Sequence, residues 1–303
     1  MDYHSQYQVK ITNSRKSAND FFVILPIPQS NDYQTIDKKV YFSPEPIEIK
    51  TDEKYRNKYG VWRLNLKPHQ TAFLEEKFLI SVKARHIRGI KKFKPEDYKK
   101  NQEHKLYIQD NVFINSENSE IKNIIEKIAK ERHSVVDIIK RINKYIIEKL
   151  KYGEPIAQLY SSDEALKNDC VDCGGFSALF VSLCVAAGIP ARIISGFWAG
   201  YEPNTMHAWA EALLSNGKWI AVDPAIEHLR KHNRTKKFAK LNHLHNDRVV
   251  LSVGCDIPII IHNEKYLAPI LQNPFIVSGQ EENSVQVETN FITDVANHKL
   301  CHE

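Results

Sequence analysis

Residues 171–190 read VDCGGFSALFVSLCVAAGIP, and this stretch decides the fold. From Phe176 to Ile189 it is almost wholly apolar, yet at about 14 residues it is shorter than the roughly 20 needed to span a membrane. Gly188 and Pro190 are usual signals for the C-terminal end of a helix. The stretch therefore predicts a helix buried in the core of a globular protein.

Cys173 lies where that helix would begin, between Asp172 and the pair Gly174 and Gly175. The unpaired N–H groups and the positive dipole end of a helix start favour a thiolate, the reactive form of cysteine. The two glycines would leave room beside the sulfur for the backbone of another molecule. A lone cysteine can equally be a small buried apolar residue, so its position alone leaves both interpretations open.

Two later segments supply the partners that a thiol nucleophile needs. His207 opens a predicted strand that reads HAWAE, and Asp223 closes one that reads KWIAVDP. Thiol acyl transfer requires an imidazole to move the proton and a carboxylate to fix the ring. A Cys, a His and an Asp in this order, each at the end of an element, therefore indicate a catalytic triad of Cys173, His207 and Asp223.

These blocks resemble the core signature of the transglutaminase-like superfamily. The resemblance rests on VDCGGFSALF at 171–180, AGIPARIISGF at 187–197, HAWAE at 207–211 and WIAVDP at 219–224. It covers about residues 120–260. It implies an enzyme with a papain-like Cys–His–Asp triad on a helix and an antiparallel sheet. The implied chemistry is acyl-enzyme formation from amide or thioester bonds, without metal or organic cofactor.

The predicted reaction is hydrolysis of protein or peptide amide bonds, because transfer to an amine needs a site that excludes water. Transglutaminase-type transfer and a deglycosylating amidase are the alternatives within the enzyme class. The alternatives outside this enzyme class are a non-catalytic interaction module and a thiol-redox protein that uses Cys170 and Cys173. The second oxyanion donor, beside the backbone N–H of Cys173, stays open among Gln158, Tyr160 and Trp198.

The length of the hairpin loop between the strands of His207 and Asp223 decides whether the two side chains can meet. A two-residue turn at 216–217 would place the two side chains on opposite faces of the sheet. A three-residue loop at 215–217, with Gly217 left-handed, places them on the same face. We therefore expect this loop, or an equivalent one-residue bulge elsewhere in the hairpin, and a hydrogen bond between the carboxylate and the imidazole.

The whole chain predicts an α+β protein of two domains. Residues 1–110 carry short alternating runs broken by prolines, which are typical of a β-sandwich-like domain. Residues 111–303 would form the transglutaminase-like catalytic domain. In it, isoleucines at helical spacing predict two amphipathic helices within 121–146, and a third helix begins at Ser162. Strand-like runs follow, and the last of them, at 284–292, is expected to complete the catalytic sheet.

The composition is that of an ordinary globular protein, with 42% hydrophobic and 26% charged residues. A net charge of +5 is well short of a dedicated nucleic-acid binder, and no apolar stretch is long enough to cross a membrane. Five cysteines without framework spacing indicate a reduced protein. Residues 1–5 lack the pattern of a signal peptide, so a cytoplasmic location is expected unless a leader has been removed. The oligomeric state is left unknown.

Two further clusters have both a structural and a functional interpretation. Cys170 and Cys173 form a Cys-x-x-Cys, but His243 and His245 are too close together to complete a zinc site, so no metal is expected. Six lysines and arginines within 230–240 form a solvated loop by default. The same charges would attract an acidic protein or glycan substrate to a nearby cleft.

Overall fold

The computed structural model describes residues 1–88, Lys94, Tyr98, and residues 102–130, 134–278 and 285–296. Within these ranges the helices are α1 (Gln102–Leu106), α2 (Ser119–Ala129), α3 (Val135–Lys149), α4 (Ser162–Asn168), α5 (Cys173–Ala186) and α6 (Pro224–Lys231). The strands are β1 (Asp2–Asn13), β2 (Asn19–Ile27), β3 (Gln34–Ser43), β4 (Glu48–Thr51), β5 (Lys58–Leu66), β6 (Thr71–Val82), β7 (Arg85–His86), β8 (Lys151–Tyr152), β9 (Cys170–Val171), β10 (Ala191–Trp198), β11 (Met206–Leu213), β12 (Trp219–Val222), β13 (Ala239–Lys240), β14 (His243–Leu244), β15 (Arg248–Val253), β16 (Ile257–Ile261), β17 (Glu264–Ala268), β18 (Phe275–Ser278) and β19 (Val285–Val295).

A β-sandwich is built mostly from strands that precede the helices, as the alternating runs predict, and it includes β18 and β19 from later in the chain. One antiparallel sheet has the order β19-β1-β6-β3, and the other has the order β18-β2-β5-β4. In β1, buried residues alternate with more exposed ones. Its buried Tyr7 and Ile11 join Phe21 and Trp62 of the facing sheet in one apolar cluster. Alternation places one side of each strand in this core because successive side chains point to opposite faces.

The C-terminal strand does not complete the catalytic sheet, so that expectation is wrong. β19 pairs with β1 from Tyr3–Val295 to Asn13–Val285 and therefore adds to the sandwich. Phe291 anchors it there, because its ring stacks on Phe197 at 4.1 Å between centroids. Alternation predicts a strand but carries no information about its partner. The domain boundary at residue 110 stays a prediction.

The second unit is a buried helix on a four-stranded antiparallel sheet. The sheet has the order β12-β11-β10-β15, and α5 lies against β11 with α2, α3, α4 and α6 around it. Every residue of α5 from Gly174 to Val185 is buried. A helix that is apolar on all sides must be enclosed on all sides, and this core supplies that enclosure. The predicted α+β class and the predicted core of a helix on an antiparallel sheet are confirmed.

The hairpin between β11 and β12 has the three-residue loop that its sequence predicts. Leu214 N–H donates to the carbonyl of Lys218 at 2.8 Å, and Ala210 pairs with Val222. Gly217 has φ +80°, the left-handed conformation that glycine adopts without strain. The loop thus turns the side chains of His207 and Asp223 to the same face of the sheet.

The sandwich and the core sheet share packing that positions β11. Tyr7 donates from its hydroxyl to the carbonyl of Gln272 at 3.0 Å. The amide of Gln272 in turn donates to the carbonyls of Gly196 at 2.8 Å and His207 at 2.9 Å. The backbone of His207 is therefore bonded to a residue that the sandwich holds in place. In the part of the chain described, no helix has the length and apolar content to cross a membrane.

Candidate active site

Cys173 is the first residue of α5, and Asp172 is the cap that starts the helix there. One Asp172 carboxylate oxygen accepts N–H bonds from Gly174 at 2.9 Å and Gly175 at 3.2 Å. The sulfur of Cys173 accepts from the backbone N–H of Ala208 at 3.4 Å. This contact lies beside His207, so the structure brings the cysteine and the histidine strand together.

The two glycines after Cys173 serve packing. A Cβ on Gly174 would lie 2.8 Å from Cδ1 of Leu159, and one on Gly175 would lie 2.7 Å from the side chain of Val171. Neither position has space for a side chain, because the preceding segment already fills it. The expected room for the backbone of another molecule is therefore not what these glycines provide.

His207 and Asp223 are joined by the predicted hydrogen bond, 2.8 Å from Nε2 to Oδ2. Asp223 closes β12 and also caps α6, where its Oδ1 accepts from the N–H of Ile226 at 3.1 Å. Because the carboxylate accepts at Nε2, the proton of a neutral imidazole lies on that nitrogen. Nδ1 is then the nitrogen left to act as a base.

Arg248 completes this group, and no role for it was predicted from the sequence. It is buried, and it donates to Asp223 Oδ2 at 2.8 Å, to Asp247 Oδ1 at 2.6 Å and to the carbonyl of Phe238 at 2.9 Å. Burial alone would raise the pKa of Asp223, but His207 and Arg248 outweigh it and lower that pKa to about 2. The carboxylate is therefore ionised at neutral pH despite complete burial.

Two tryptophans fix the plane of the His207 ring. Trp198 stacks on it with centroids 4.6 Å apart and an interplanar angle of 27°. Trp209 lies 6.0 Å away at 21°. Burial lowers the pKa of His207, although Asp223 acts to raise it. The imidazole is therefore neutral at pH 7, held in place by stacking and by its carboxylate.

The thiol of Cys173 is also neutral, in contrast to the thiolate expected at a helix start. Burial and then the charge of Asp172 raise its pKa to about 12. The helix start does not reverse this, because Asp172 already occupies the N–H groups of Gly174 and Gly175 and adds a negative charge nearby. The directions of the two pKa shifts thus give a neutral thiol at Cys173 and a neutral imidazole at His207.

Tyr152 of β8 lies near Cys173, close enough for the charge of a thiolate there to act on its phenol. The charge of a Cys173 thiolate and burial raise the pKa of this phenol, so the hydroxyl keeps its proton. Of the residues left open for the second oxyanion donor, Trp198 stacks on the imidazole, Tyr160 donates from its hydroxyl to the carbonyl of Glu154 at 2.8 Å, and Gln158 lines a surface cavity. Tyr152 lies on a two-residue strand, which leaves no periodic signal in the sequence.

The cysteines that the structure describes have no partner sulfur. Cys170, Cys173, Cys184 and Cys255 are all unbonded thiols. Cys170 packs its sulfur against Gly153, where a Cβ would lie only 2.8 Å from it. Among the residues with described positions, no three His, Cys, Asp or Glu side chains converge in a way that could hold a metal ion.

A buried helix that begins with a cysteine thus lies on an antiparallel sheet that carries a histidine and an aspartate, an arrangement of groups that can support thiol chemistry. Residues 122–224 match the sequence model of the transglutaminase-like superfamily. The chain therefore carries a transglutaminase-like core, and members of this superfamily are generally cysteine-based enzymes.

Individual relatives are distant. Kyphoscoliosis peptidase from Mus musculus is 24% identical over 118 residues, which cover 35% of this chain and 18% of that protein. The Homo sapiens protein is 23% identical over the same shares, so the chain covers less than a fifth of the curated relatives it matches. A solved structure of a proposed cysteine protease from Cytophaga hutchinsonii has 18% identity and a TM-score of 0.61, and the match covers 96% of this chain and 92% of that one. The periplasmic domain of TgpA from Pseudomonas aeruginosa has a TM-score of 0.40 at 15% identity, covering 74% of this chain and 78% of that one.

Proposed function

We propose that the protein hydrolyses amide bonds of proteins or peptides through an acyl-enzyme on Cys173, with His207 and Asp223 as its catalytic partners. One observation carries the proposal. The sulfur at the start of α5 lies against the strand of His207, whose ring is bonded at 2.8 Å to a buried, ionised Asp223. A nucleophile, a base and the group that orients the base are the three parts that such chemistry requires.

In the proposed mechanism, Nδ1 of His207 takes the proton of Cys173 as the sulfur attacks the substrate carbonyl carbon. The backbone N–H of Cys173 and the hydroxyl of Tyr152 donate to the oxygen that becomes negative. The imidazolium then gives its proton to the departing amine, which leaves a thioester on Cys173. Water, deprotonated by the same Nδ1, attacks the thioester and releases the acid and the thiol.

Asp223 and Arg248 serve this cycle through charge. Asp223 stabilises the imidazolium that forms between the two proton transfers, and Arg248 keeps Asp223 ionised. A reducing compartment such as the cytosol is part of the proposal, because only a reduced sulfur is a nucleophile. Hydrolysis is proposed ahead of transfer to an amine because transfer needs a site that holds an amine and keeps water from the thioester, and no sequence pattern indicates such a site.

The test uses purified protein, unlabelled casein and a set of synthetic peptides, with products identified by mass spectrometry. We expect cleavage with addition of water, and its loss in Cys173→Ala and in His207→Ala, because triad residues act as a unit. Added methylamine separates the alternatives: products that carry methylamine in place of water identify a transferase. Absence of any acyl product, with Cys173 alkylated by iodoacetamide equally fast in wild type and His207→Ala, would contradict the proposal.

The thiol-redox alternative is separated by Cys170→Ala. The proposed hydrolase keeps most of its activity in this variant, because the sulfur of Cys170 lies against Gly153 and has no part in the acyl step. A redox protein would instead lose as much activity in Cys170→Ala as in Cys173→Ala, and would tolerate His207→Ala.

A further inference from the structure

A strongly basic segment follows α6's first turn and borders the candidate active site. Residues 228–246, here called the basic segment, contain six lysines and arginines and no aspartate or glutamate. Two of its residues form hydrogen bonds with residues of the site. Phe238 accepts from Arg248 through its carbonyl at 2.9 Å, and Arg234 donates to the carbonyl of Tyr152 at 3.0 Å. The segment therefore reaches both the Asp223 side and the Tyr152 side of the triad.

Lys237 is the member of this segment that lies over Trp198, the ring that stacks on the imidazole. Its ammonium is 4.3 Å from the ring centre of Trp198 and 4.9 Å from that of Tyr201. Because Trp198 is itself 4.6 Å from His207, the ammonium lies within about 9 Å of the imidazole. Lys237 is half-buried, whereas its neighbour Lys236 is exposed.

The charge of Lys237 has no carboxylate partner within 4.0 Å in the ranges of the chain that the structure describes. The nearest carboxylates are already engaged. Asp223 and Asp247 both accept from Arg248, and Asp247 also accepts from the hydroxyl of Tyr201 at 3.1 Å. Burial lowers the pKa of Lys237, as expected for a cation that is partly removed from water.

We propose that Lys237, on its platform of Trp198 and Tyr201, binds a carboxylate of the substrate chain beside the triad. This inference rests on the proposed function and adds a preference for acidic peptides. An aromatic platform offers a cation part of the stabilisation that a carboxylate offers fully, so the ammonium is free to form an ion pair with an incoming acid. Arg234, Lys236 and the other basic residues add an attractive field that speeds encounter with an acidic chain.

The test measures how fast matched peptidyl chloromethyl ketones alkylate Cys173. Each pair differs by Glu against Gln at one position, and positions are scanned along the peptide. We expect wild type to react about fivefold to tenfold faster with the acidic member at one or more positions at low salt, and the ratio to fall towards 1 at about 0.5 M salt. The ratio within one protein cancels any effect of a substitution on overall reactivity.

Variants assign the effect to Lys237. Lys237→Gln should bring the ratio near 1, Lys237→Glu should invert it, and Lys237→Arg should retain it. Lys236→Glu makes the same charge change one residue away at an exposed position and should leave most of the preference. A ratio near 1 in wild type at every position, or a preference that survives Lys237→Glu, would overturn the inference.

A second arm identifies the source of the carboxylate. Unreactive peptides are tested for protection of Cys173 against iodoacetamide: protection by amidated peptides with an internal Glu assigns a side chain, and protection only by a free C-terminus assigns the chain end. Failure of the proposed function has a different signature. In that case His207→Ala reacts with every ketone as fast as wild type, whereas failure of this inference alone leaves a His207-dependent rate without charge preference.

Discussion

Asp172 lowers the reactivity of the thiol that it positions, and its replacement by asparagine should reveal this. Asparagine caps a helix as well as aspartate does, so Asp172→Asn should keep the N–H bonds of Gly174 and Gly175 while removing the charge. The pKa of Cys173, raised to about 12 by burial and by this carboxylate, should fall. The substitution changes the sulfur's electrostatic surroundings without moving the helix that carries it.

The magnitude follows from Coulomb's law. Two charges about 6 Å apart interact by about 3 kcal/mol at an effective dielectric constant of about 20, and by about half of that where water has partial access. Since one pKa unit is about 1.4 kcal/mol, the thiol pKa should fall by about one to two units. The thiolate fraction at pH 7 should then rise about tenfold to a hundredfold.

The assay is the pH dependence of Cys173 alkylation by iodoacetamide, with the modified peptide identified by mass spectrometry. Asp169→Asn is the matched control, because it removes a charge that Lys149 already neutralises at 2.7 Å. A small loss of stability, about 1 kcal/mol, is expected in Asp172→Asn because Ile156 loses its carboxylate acceptor. An unchanged pKa in Asp172→Asn, or an equal fall in Asp169→Asn, would refute the electrostatic role of Asp172.

Three further predictions concern stability, each measured by urea unfolding. Glu76 is fully buried with both oxygens unpartnered in the described structure, and burial raises its pKa well above the ordinary value. Wild type should therefore lose stability as pH rises above about 4.5, and Glu76→Gln should be more stable than wild type by about 1–3 kcal/mol at pH 8. A wild type that is as stable as Glu76→Gln at both pH 5 and pH 8 would contradict this. Arg248→Met leaves Asp223 and Asp247 buried without their cation and should cost about 3–5 kcal/mol; a loss below about 1 kcal/mol would show that this ion cluster is dispensable. Gly217→Val forces a β-branched residue to φ +80° and should cost about 1–3 kcal/mol, with Gly217→Asn milder; equal stability of the two variants would argue against a left-handed loop residue.

Local rules account for the parts of the site that the sequence predicts. Whether His207 and Asp223 share a face depends on whether the hairpin loop has an odd or an even number of residues, because side chains alternate strictly along strands. A glycine at the third loop position selects the odd length, so the hydrogen bond at 2.8 Å follows from about seventeen residues of sequence. The buried helix is predictable for the same reason, because its length and its uniform apolar character are properties of one segment.

The parts that escaped prediction depend on segments distant in sequence. Arg248 reaches Asp223 only because β15 pairs with β10, and Tyr152 reaches Cys173 only because β8 pairs with β9. The raised pKa of the Cys173 thiol was not predicted for another reason. The effect of a helix start on the pKa of a thiol depends on which group its free N–H groups already bind. In this protein that group is a carboxylate, which reverses the direction that the helix alone would give.

The pairing of β1 with β19 has a consequence for how the protein is made. β1 is an inner strand of its sheet only when β19 is in place, and about 270 residues separate the paired segments. At a synthesis rate of about 5–20 residues per second, β1 waits roughly 15 to 55 s on the ribosome with one row of N–H and C=O groups unpaired. During that time it can recruit the β1 of a neighbouring nascent chain, so polysomes are where this fold is most exposed to aggregation.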